Sequence, residues 1–139
     1  MTLKCALSGM QGKLFEQAGS KGYDSEKFIK VFMNSKIAKG LDSDFDYMQW
    51  AGKEYILEKM SEDYPEGCVT GGDVYDNETL YWTGYLYRYW HFYTGESSTA
   101  VYKTADAKTM NRAYLGFHTL DIEDAIDRLR QLERSSCNP

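Results

Sequence analysis

Apolar side chains recur at helical spacing over most of this chain. The clearest stripe lies near the C-terminus and consists of Ile122, Ala125, Ile126, Leu129 and Leu132. Residues three and four apart share one face of a helix. Thr119 or Asp121 can cap the start of this helix with a side-chain oxygen. The pattern therefore predicts an amphipathic helix whose apolar face lies in the core.

Residues 77–93, with the sequence NETLYWTGYLYRYWHFY, form the most aromatic segment. A strand would place Tyr85, Tyr87 and Tyr89 on one face, and tyrosine has good strand propensity. The segment is much longer than the usual strand of about five or six residues, however, and its one turn signal is Gly84. We predict a helix here. Because aromatic residues fall on most of its faces, it should be long, central and buried.

Capping residues predict further helices before and after this segment. Asp24 or Ser25 can cap a helix that carries Phe28, Val31 and Phe32 on one side. After the aromatic segment we expect a short helix at 99–104. A further helix follows, capped by Asp106, with one side made of Met110, Tyr114 and Phe117.

The region before the aromatic segment is harder to interpret. Residues 1–24 contain four glycines that weaken any helix around Leu14 and Phe15, so their structure is left open. Residues 37–41 look like a short turn with Gly40 as a C-cap. Three polar residues then predict the start of a helix over 45–60: Asp42, Ser43 and Asp44.

Residues 62–76, with the sequence SEDYPEGCVTGGDVY, are the clearest loop. Pro65, Gly67, Gly71 and Gly72 interrupt regular structure there, and a loop this long is often functional. No repeat or linker divides the chain. We predict one domain over residues 1–139, an all-α compact bundle of five to seven helices around the aromatic helix.

Composition narrows the classes of partner. The net charge is −5, which argues against nucleic acid as a partner because phosphate binding needs clustered Lys and Arg. A mildly acidic surface usually serves only solubility, and a partner protein with a basic surface is the more specific interpretation. Aromatic residues make up 15% of the chain, including 12 tyrosines, and Tyr and Trp are favoured in protein interfaces. Core packing must still account for most of them.

The sequence predicts a cytoplasmic protein. Three isolated cysteines, Cys5, Cys68 and Cys137, include no CxxC pair, which indicates reduced thiols. No segment has the order of a signal peptide. No apolar run reaches the length of about 18 residues that indicates a membrane span, so we expect no membrane association.

Common catalytic motifs are missing. The chain has no GxxxxGKS/T phosphate loop, no GxGxxG, no GxSxG and no HExxH. Its two histidines, His91 and His118, cannot form a His-rich metal site. We therefore expect no cofactor and no metal, and we assign no catalytic residue. Whether the protein is an enzyme stays open, with the balance against it.

Arg88 and His91 are the first candidate site residues. They lie three apart, so a helix places them on one face. Together with Tyr85 and Tyr89 they could line a pocket for a small anionic or planar ligand. The simpler interpretation is the polar side of a packed helix. An arginine among aromatic residues must reach a carboxylate, a group of carbonyls, a tyrosine face or a ligand. The last helix offers three candidate carboxylates: Asp121, Glu123 and Asp124.

Two more candidates lie at turns. Glu96 and Ser97 precede a short helix, where they could help to bind an anion or simply cap that helix. His118 precedes Asp121, and contact with that carboxylate could orient the imidazole. An ordinary turn between helices is the simpler interpretation.

Two stretches resemble a small, uncharacterised bacterial family. They are residues 19–60, GSKGYDSEKFIKVFMNSKIAKGLDSDFDYMQWAGKEYILEKM, and residues 85–127, YLYRYWHFYTGESSTAVYKTADAKTMNRAYLGFHTLDIEDAID. Such genes lie near predicted ADP-ribosyltransferase-like toxins and small helical companions. The resemblance implies a role in a toxin–antitoxin or defence operon, and it supplies no catalytic residue.

Two functional hypotheses follow. The first is a non-enzymatic protein-binding module, such as an antitoxin-like partner that masks a toxin. The alternative is a small-ligand or nucleotide-binding protein, or an enzyme, with a tyrosine-rich pocket around Arg88 and His91.

Overall fold

Helices account for nearly all regular structure in this protein. The computed structural model describes residues 2–43 and 47–137. In these ranges the α-helices are α1 (Leu3–Ser20), α2 (Ser25–Met33), α3 (Lys36–Asp42), α4 (Lys53–Asp63), α5 (Asn77–Thr94), α6 (Ser98–Thr104), α7 (Ala107–Phe117) and α8 (Ile122–Cys137). Short 3₁₀ turns cover Tyr47–Trp50 and Pro65–Gly67. The prediction of a compact all-α fold is confirmed, with eight α-helices in the described ranges rather than five to seven.

The aromatic segment forms the long helix α5, and its main neighbour is α1. The two run antiparallel, since Gln11 contacts Arg88 just past the middle of α5 whereas Gly19, near the end of α1, lies against Leu80 near the start of α5. Their backbones approach closely at Gly84, where an added Cβ would lie 2.5 Å from the Gln11 carbonyl oxygen. Close packing therefore explains why a glycine-containing segment forms the helix α1, which the sequence left open.

The core lies between α5 and the helices around it. Leu86 and Trp90 of α5 share one buried cluster with Ile126 and Leu129 of α8, as the periodicity predicts. Trp82 packs against this cluster but is only partly buried. At the end of the predicted stripe, Leu132 remains 48% exposed.

Side-chain caps begin several of the predicted helices. Asp24 Oδ1 accepts from the Lys27 N–H at 3.0 Å, and Asp106 Oδ1 accepts from the Thr109 N–H at 2.9 Å. These bonds satisfy amides that lack a partner within the first turn. The caps predicted for α2 and α7 are thus confirmed.

The prediction for residues 37–60 was wrong in two places. The expected turn at 37–41 is the helix α3, capped by Ser35, whose Oγ accepts from the Ala38 N–H at 3.2 Å. The expected helix over 45–60 is interrupted at Gly52, which has a φ of +82° that β-carbon-bearing residues rarely adopt. The helix α4 begins after this glycine.

The three residues predicted to cap that helix have other roles or lie outside the described ranges. Asp42 is the last residue of α3, and Ser43 is its C-cap. Asp44 lies outside the described residues, as do positions 45 and 46 of the predicted helix.

The loop after α4 is fixed against the start of α2. The Asp24 N–H donates to the Val69 carbonyl at 2.7 Å, and the Ser25 N–H donates to the Asp73 carbonyl at 2.9 Å. Ser25 Oγ also accepts from the Tyr75 N–H at 2.9 Å. The glycine-rich segment therefore has a defined course although most of it is exposed.

Within the described residues, no helix combines the length and apolarity that crossing a membrane would require.

Candidate functional site

Arg88 is buried in the middle of the fold, with 1% of its surface exposed. Its Nε donates to Gln11 Oε1 at 2.9 Å, Nη1 to Asp42 Oδ1 at 2.6 Å, and Nη2 to Ser98 Oγ at 3.0 Å. Burial lowers the pKa of the guanidinium, whereas the adjacent Asp42 carboxylate acts in the opposite direction. All three guanidinium nitrogens are thus bonded to protein acceptors.

The partners of Arg88 are themselves bonded to one another. Asp42 accepts from the Ser98 backbone N–H at 2.8 Å and from Ser98 Oγ at 2.7 Å. Gln11 Nε2 donates to the Gly84 carbonyl at 3.0 Å. This polar network joins α1, α3, α5 and α6, and it satisfies the groups that burial removes from water.

The carboxylate that pairs with Arg88 is none of the three candidates considered from the sequence. Asp121, Glu123 and Asp124 are exposed, whereas Asp42 reaches the guanidinium from α3. The sequence placed Asp42 at the start of a different helix, so the pairing could not be inferred from it.

His91 and Glu96 lie at the edge of this network. His91 Nδ1 is 2.7 Å from the Glu96 carbonyl oxygen, so this nitrogen carries the proton, because a carbonyl can only accept. The same nitrogen is 3.7 Å from Asp42 Oδ1. The Glu96 carboxylate accepts from Trp90 Nε1 at 3.0 Å and lies 3.5 Å from Arg130 Nε.

Ser97 caps α6. Its Oγ accepts from the Ala100 N–H at 3.1 Å, which is the simpler of the two roles considered for it. Arg88, His91, Glu96 and Ser97 therefore lie near one another, but their polar groups are bonded to the protein itself.

Tyr85 and Tyr89 belong to a row of tyrosines along one face of α5. The ring centroids of Tyr81 and Tyr85 are 6.1 Å apart, and those of Tyr85 and Tyr89 are 6.2 Å apart. Burial, with the nearby Cys5, raises the pKa of Tyr85 to about 12. The hydroxyl of Tyr89 donates to Glu123 Oε2 at 3.0 Å.

A cleft of about 460 Å³ opens beside this row, between α1, α5 and the end of α7. We call it the aromatic cleft, and it is lined by Glu16, Glu78, Tyr81, Trp82, Tyr85, Tyr114 and His118. Among the described residues, its lining carries two carboxylates and neither lysine nor arginine. Its volume falls in the range of small-molecule and side-chain pockets.

The rings of the aromatic cleft hold one another in place. Tyr114 and His118 stack with centroids 4.3 Å apart and planes 13° apart, and Trp82 meets Tyr114 edge-on at 5.7 Å. His118 Nδ1 is 2.6 Å from the Tyr114 carbonyl oxygen, so its ring is oriented by Tyr114 rather than by Asp121. The Tyr114 hydroxyl donates to Glu78 Oε2 at 3.3 Å.

Negative charge surrounds the Tyr114 ring. The pKa of Tyr114 is raised by burial, by the Glu78 carboxylate that its hydroxyl contacts, and by Asp76 nearby.

A second cleft, of about 530 Å³, lies on the other side of Tyr81 and Tyr85. Its lining includes Lys13 and Lys53, so the two clefts differ in charge.

Sequence reasoning found two of the seven residues that line the aromatic cleft, Tyr85 and His118. It missed Glu16, since α1 was not predicted. Glu78 and Trp82 lie four apart on α5, and this spacing was a signal that could have placed them together.

Cys5 and Cys68 are free thiols and half-buried, while the side chain of Cys137 lies outside the described residues. Among the described residues, no three His, Cys, Asp or Glu side chains come together in a group that could hold a metal ion.

Comparison with known proteins gives no relative: no family model, no curated protein and no solved structure matches this chain.

Proposed function

We propose that this protein is a non-enzymatic protein-binding module that holds a partner in the aromatic cleft. The observation that carries the proposal is the cleft itself, with four half-buried rings and His118 open to solvent beside two carboxylates. Tyr and Trp supply large contact areas at small cost in conformational entropy, which is why they dominate protein interfaces. The network of ring contacts and hydrogen bonds keeps these groups in one arrangement before a partner binds.

The negative charge of the protein supports a partner with a basic surface. The chain carries a net charge of −5, and the aromatic cleft adds a local excess of carboxylates. Complementary charge accelerates association and excludes wrong partners. An antitoxin-like role in a bacterial toxin–antitoxin or defence operon is the form of this proposal that the family resemblance suggests.

The alternative, a ligand pocket around Arg88 and His91, has less support. The three nitrogens of Arg88 donate to Gln11, Asp42 and Ser98, and breaking these bonds would leave the Asp42 carboxylate without its cationic partner. A ligand would have to replace them in a buried position.

The free thiols of Cys5 and Cys68 support the cytoplasm as the location.

Affinity capture with matched variants tests the proposal. Tagged wild-type protein, Tyr114→Ala and Tyr55→Ala are expressed in the source cells, and bound proteins are quantified by mass spectrometry. Tyr55 is an exposed tyrosine on α4 that does not line the aromatic cleft, so it controls for the loss of a surface ring. We expect a stoichiometric partner with wild type and Tyr55→Ala that Tyr114→Ala loses.

Thermal melts of the three proteins show whether Tyr114→Ala stays folded. A partner captured equally well by all three would place the binding surface elsewhere. A co-purified metabolite in place of a protein would favour the ligand-binding alternative.

A further inference from the structure

The aromatic cleft combines two kinds of group that together select a particular chemistry. Ring faces attract cations through their negative quadrupole, and arginine is the side chain most often found there. Carboxylates accept the N–H groups of a guanidinium in a fork geometry. Glu16 on α1 and Glu78 in the first turn of α5 bring such acceptors to the cleft from two helices.

We propose that the aromatic cleft receives an arginine side chain from the partner, with its guanidinium plane against the rings and its N–H groups on Glu16 and Glu78. This inference rests on the proposed function, because it names the chemistry of the segment that the binding module holds.

Three observations favour arginine over lysine. The cleft is open, since Glu78 and His118 are exposed, so a strongly hydrated ammonium would gain little there. The rings of Tyr81, Trp82 and Tyr85 line an open cleft rather than a closed cage, which suits a planar cation. Two carboxylates on different helices can be bridged by the five N–H donors of a guanidinium.

The lining has acceptor capacity left for this cation. Tyr114 uses one bond to Glu78 Oε2, and a carboxylate has about four acceptor positions, so Glu78 retains capacity for a guanidinium. The lining contains neither lysine nor arginine to compete for either carboxylate. The carboxylates that raise the pKa of Tyr114 also make the potential in the cleft favourable to a cation.

A peptide titration tests the inference. The probes are three blocked pentapeptides, acetyl-Gly-Gly-X-Gly-Gly-amide, in which X is arginine, citrulline or lysine. Citrulline has nearly the shape of arginine without its charge. Binding is followed by the indole N–H resonance of Trp82 in a ¹H–¹⁵N spectrum, assigned with Trp82→Phe. We expect saturable shifts with the arginine peptide, with a Kd on the order of 1 mM.

Variants of the carboxylates complete the test. The double variant Glu16→Gln with Glu78→Gln should bind the arginine peptide at least about tenfold more weakly. Glu62→Gln, which removes an exposed carboxylate on α4, should bind as wild type does. Equal binding of the arginine and citrulline peptides, or equal binding by the double variant, would overturn the inference.

Two further outcomes distinguish an arginine side chain of the partner from other cations that could bind in the aromatic cleft. A lysine peptide that binds as tightly as the arginine peptide would show a general cation site and overturn the choice of arginine. Tighter binding of free arginine than of the peptide would overturn the assignment to a partner's side chain. The proposed function fails separately, if captured protein does not depend on Tyr114.

Discussion

Arg88 Nη1 donates to Asp42 Oδ1 over 2.6 Å, which ties the middle of the central helix α5 to the last residue of α3. The two side chains are 1% and 13% exposed, so this ion pair is screened little by water. A buried ion pair is not necessarily more stable than an apolar pair of the same size. Removing one partner is costly, however, because the remaining charge stays buried without compensation.

Replacing Arg88 alone should therefore destabilise the fold strongly. We expect Arg88→Met to lower the free energy of unfolding by about 3–5 kcal/mol, measured by urea unfolding at pH 7. The double variant Arg88→Met with Asp42→Leu removes both charges and should regain part of this loss. A single variant within about 0.5 kcal/mol of wild type would show that the network adds no stability.

Local patterns were sufficient to predict the helices that begin at a clear cap or carry a regular apolar stripe. The helices α2, α5, α7 and α8 follow from side-chain spacing and from caps such as Asp24 and Asp106. The helix α1 could not be predicted in this way. Its glycines lower helix propensity, and what offsets this is close packing on α5 at Gly84, a contact between distant parts of the chain.

The candidate site was predicted less well for the same reason. Arg88 was identified as a residue that needs a partner, but Asp42 is 46 positions away, and its helix α3 was read as a turn. Tyr85 and His118 were named separately, and nothing in their spacing shows that α5 and α7 bring them to one cleft. Contacts between helices that are distant in sequence decide which residues meet around Arg88 and which line the aromatic cleft.

Tyr87 should make stability depend on alkaline pH. It is buried and its hydroxyl donates to the Ala105 carbonyl at 2.6 Å. Burial, followed by the nearby Tyr102, Asp106 and Tyr75, raises the pKa of Tyr87 well above its usual value. The folded state therefore favours the neutral phenol. Its contribution to stability is complete below the unfolded pKa of about 10 and is lost as the pH rises toward the folded pKa.

The variant Tyr87→Phe tests the direction of this pH dependence. At pH 8 it should be about 1 kcal/mol less stable than wild type, because it lacks the hydrogen bond to Ala105. At pH 11 Tyr87 ionises in the unfolded wild-type chain, which lowers the free energy of unfolding of wild type by about 1.4 kcal/mol. The variant has no phenol at this position and does not lose this stability. The difference in stability between the two proteins should therefore disappear or reverse. Urea unfolding at both values measures it. The same difference in stability between variant and wild type at both pH values would contradict the raised pKa of Tyr87.

Two glycines should respond in opposite directions to alanine. At Gly84 the new Cβ would lie 2.5 Å from the Gln11 carbonyl oxygen and 3.0 Å from Gly12 Cα. Because these are backbone atoms, α1 and α5 must separate, and we expect a loss of about 1–3 kcal/mol. At Gly116 in α7 no atom lies within 4 Å of the added Cβ. Gly116→Ala should gain about 0.5 kcal/mol from helix propensity.

Melting temperatures of the two glycine variants, compared with wild type, check this prediction. An unchanged melt for Gly84→Ala would mean that α1 and α5 can move apart at little cost. The Gly116→Ala variant controls for the general effect of adding a methyl group to a helix.

The two leucines of α8 provide a matched test of the core, since both lie on the predicted apolar stripe. Leu129 is 1% exposed and belongs to the buried cluster with Leu86 and Trp90, whereas Leu132 is 48% exposed. Leu129→Ala should lower the free energy of unfolding by about 2–5 kcal/mol, because it loses transfer energy and leaves a cavity. Leu132→Ala removes the same atoms from a half-exposed position and should cost less than about 1 kcal/mol. Urea unfolding of both variants measures the difference. Equal losses would mean that the packed face of α8 extends beyond Leu129 to Leu132.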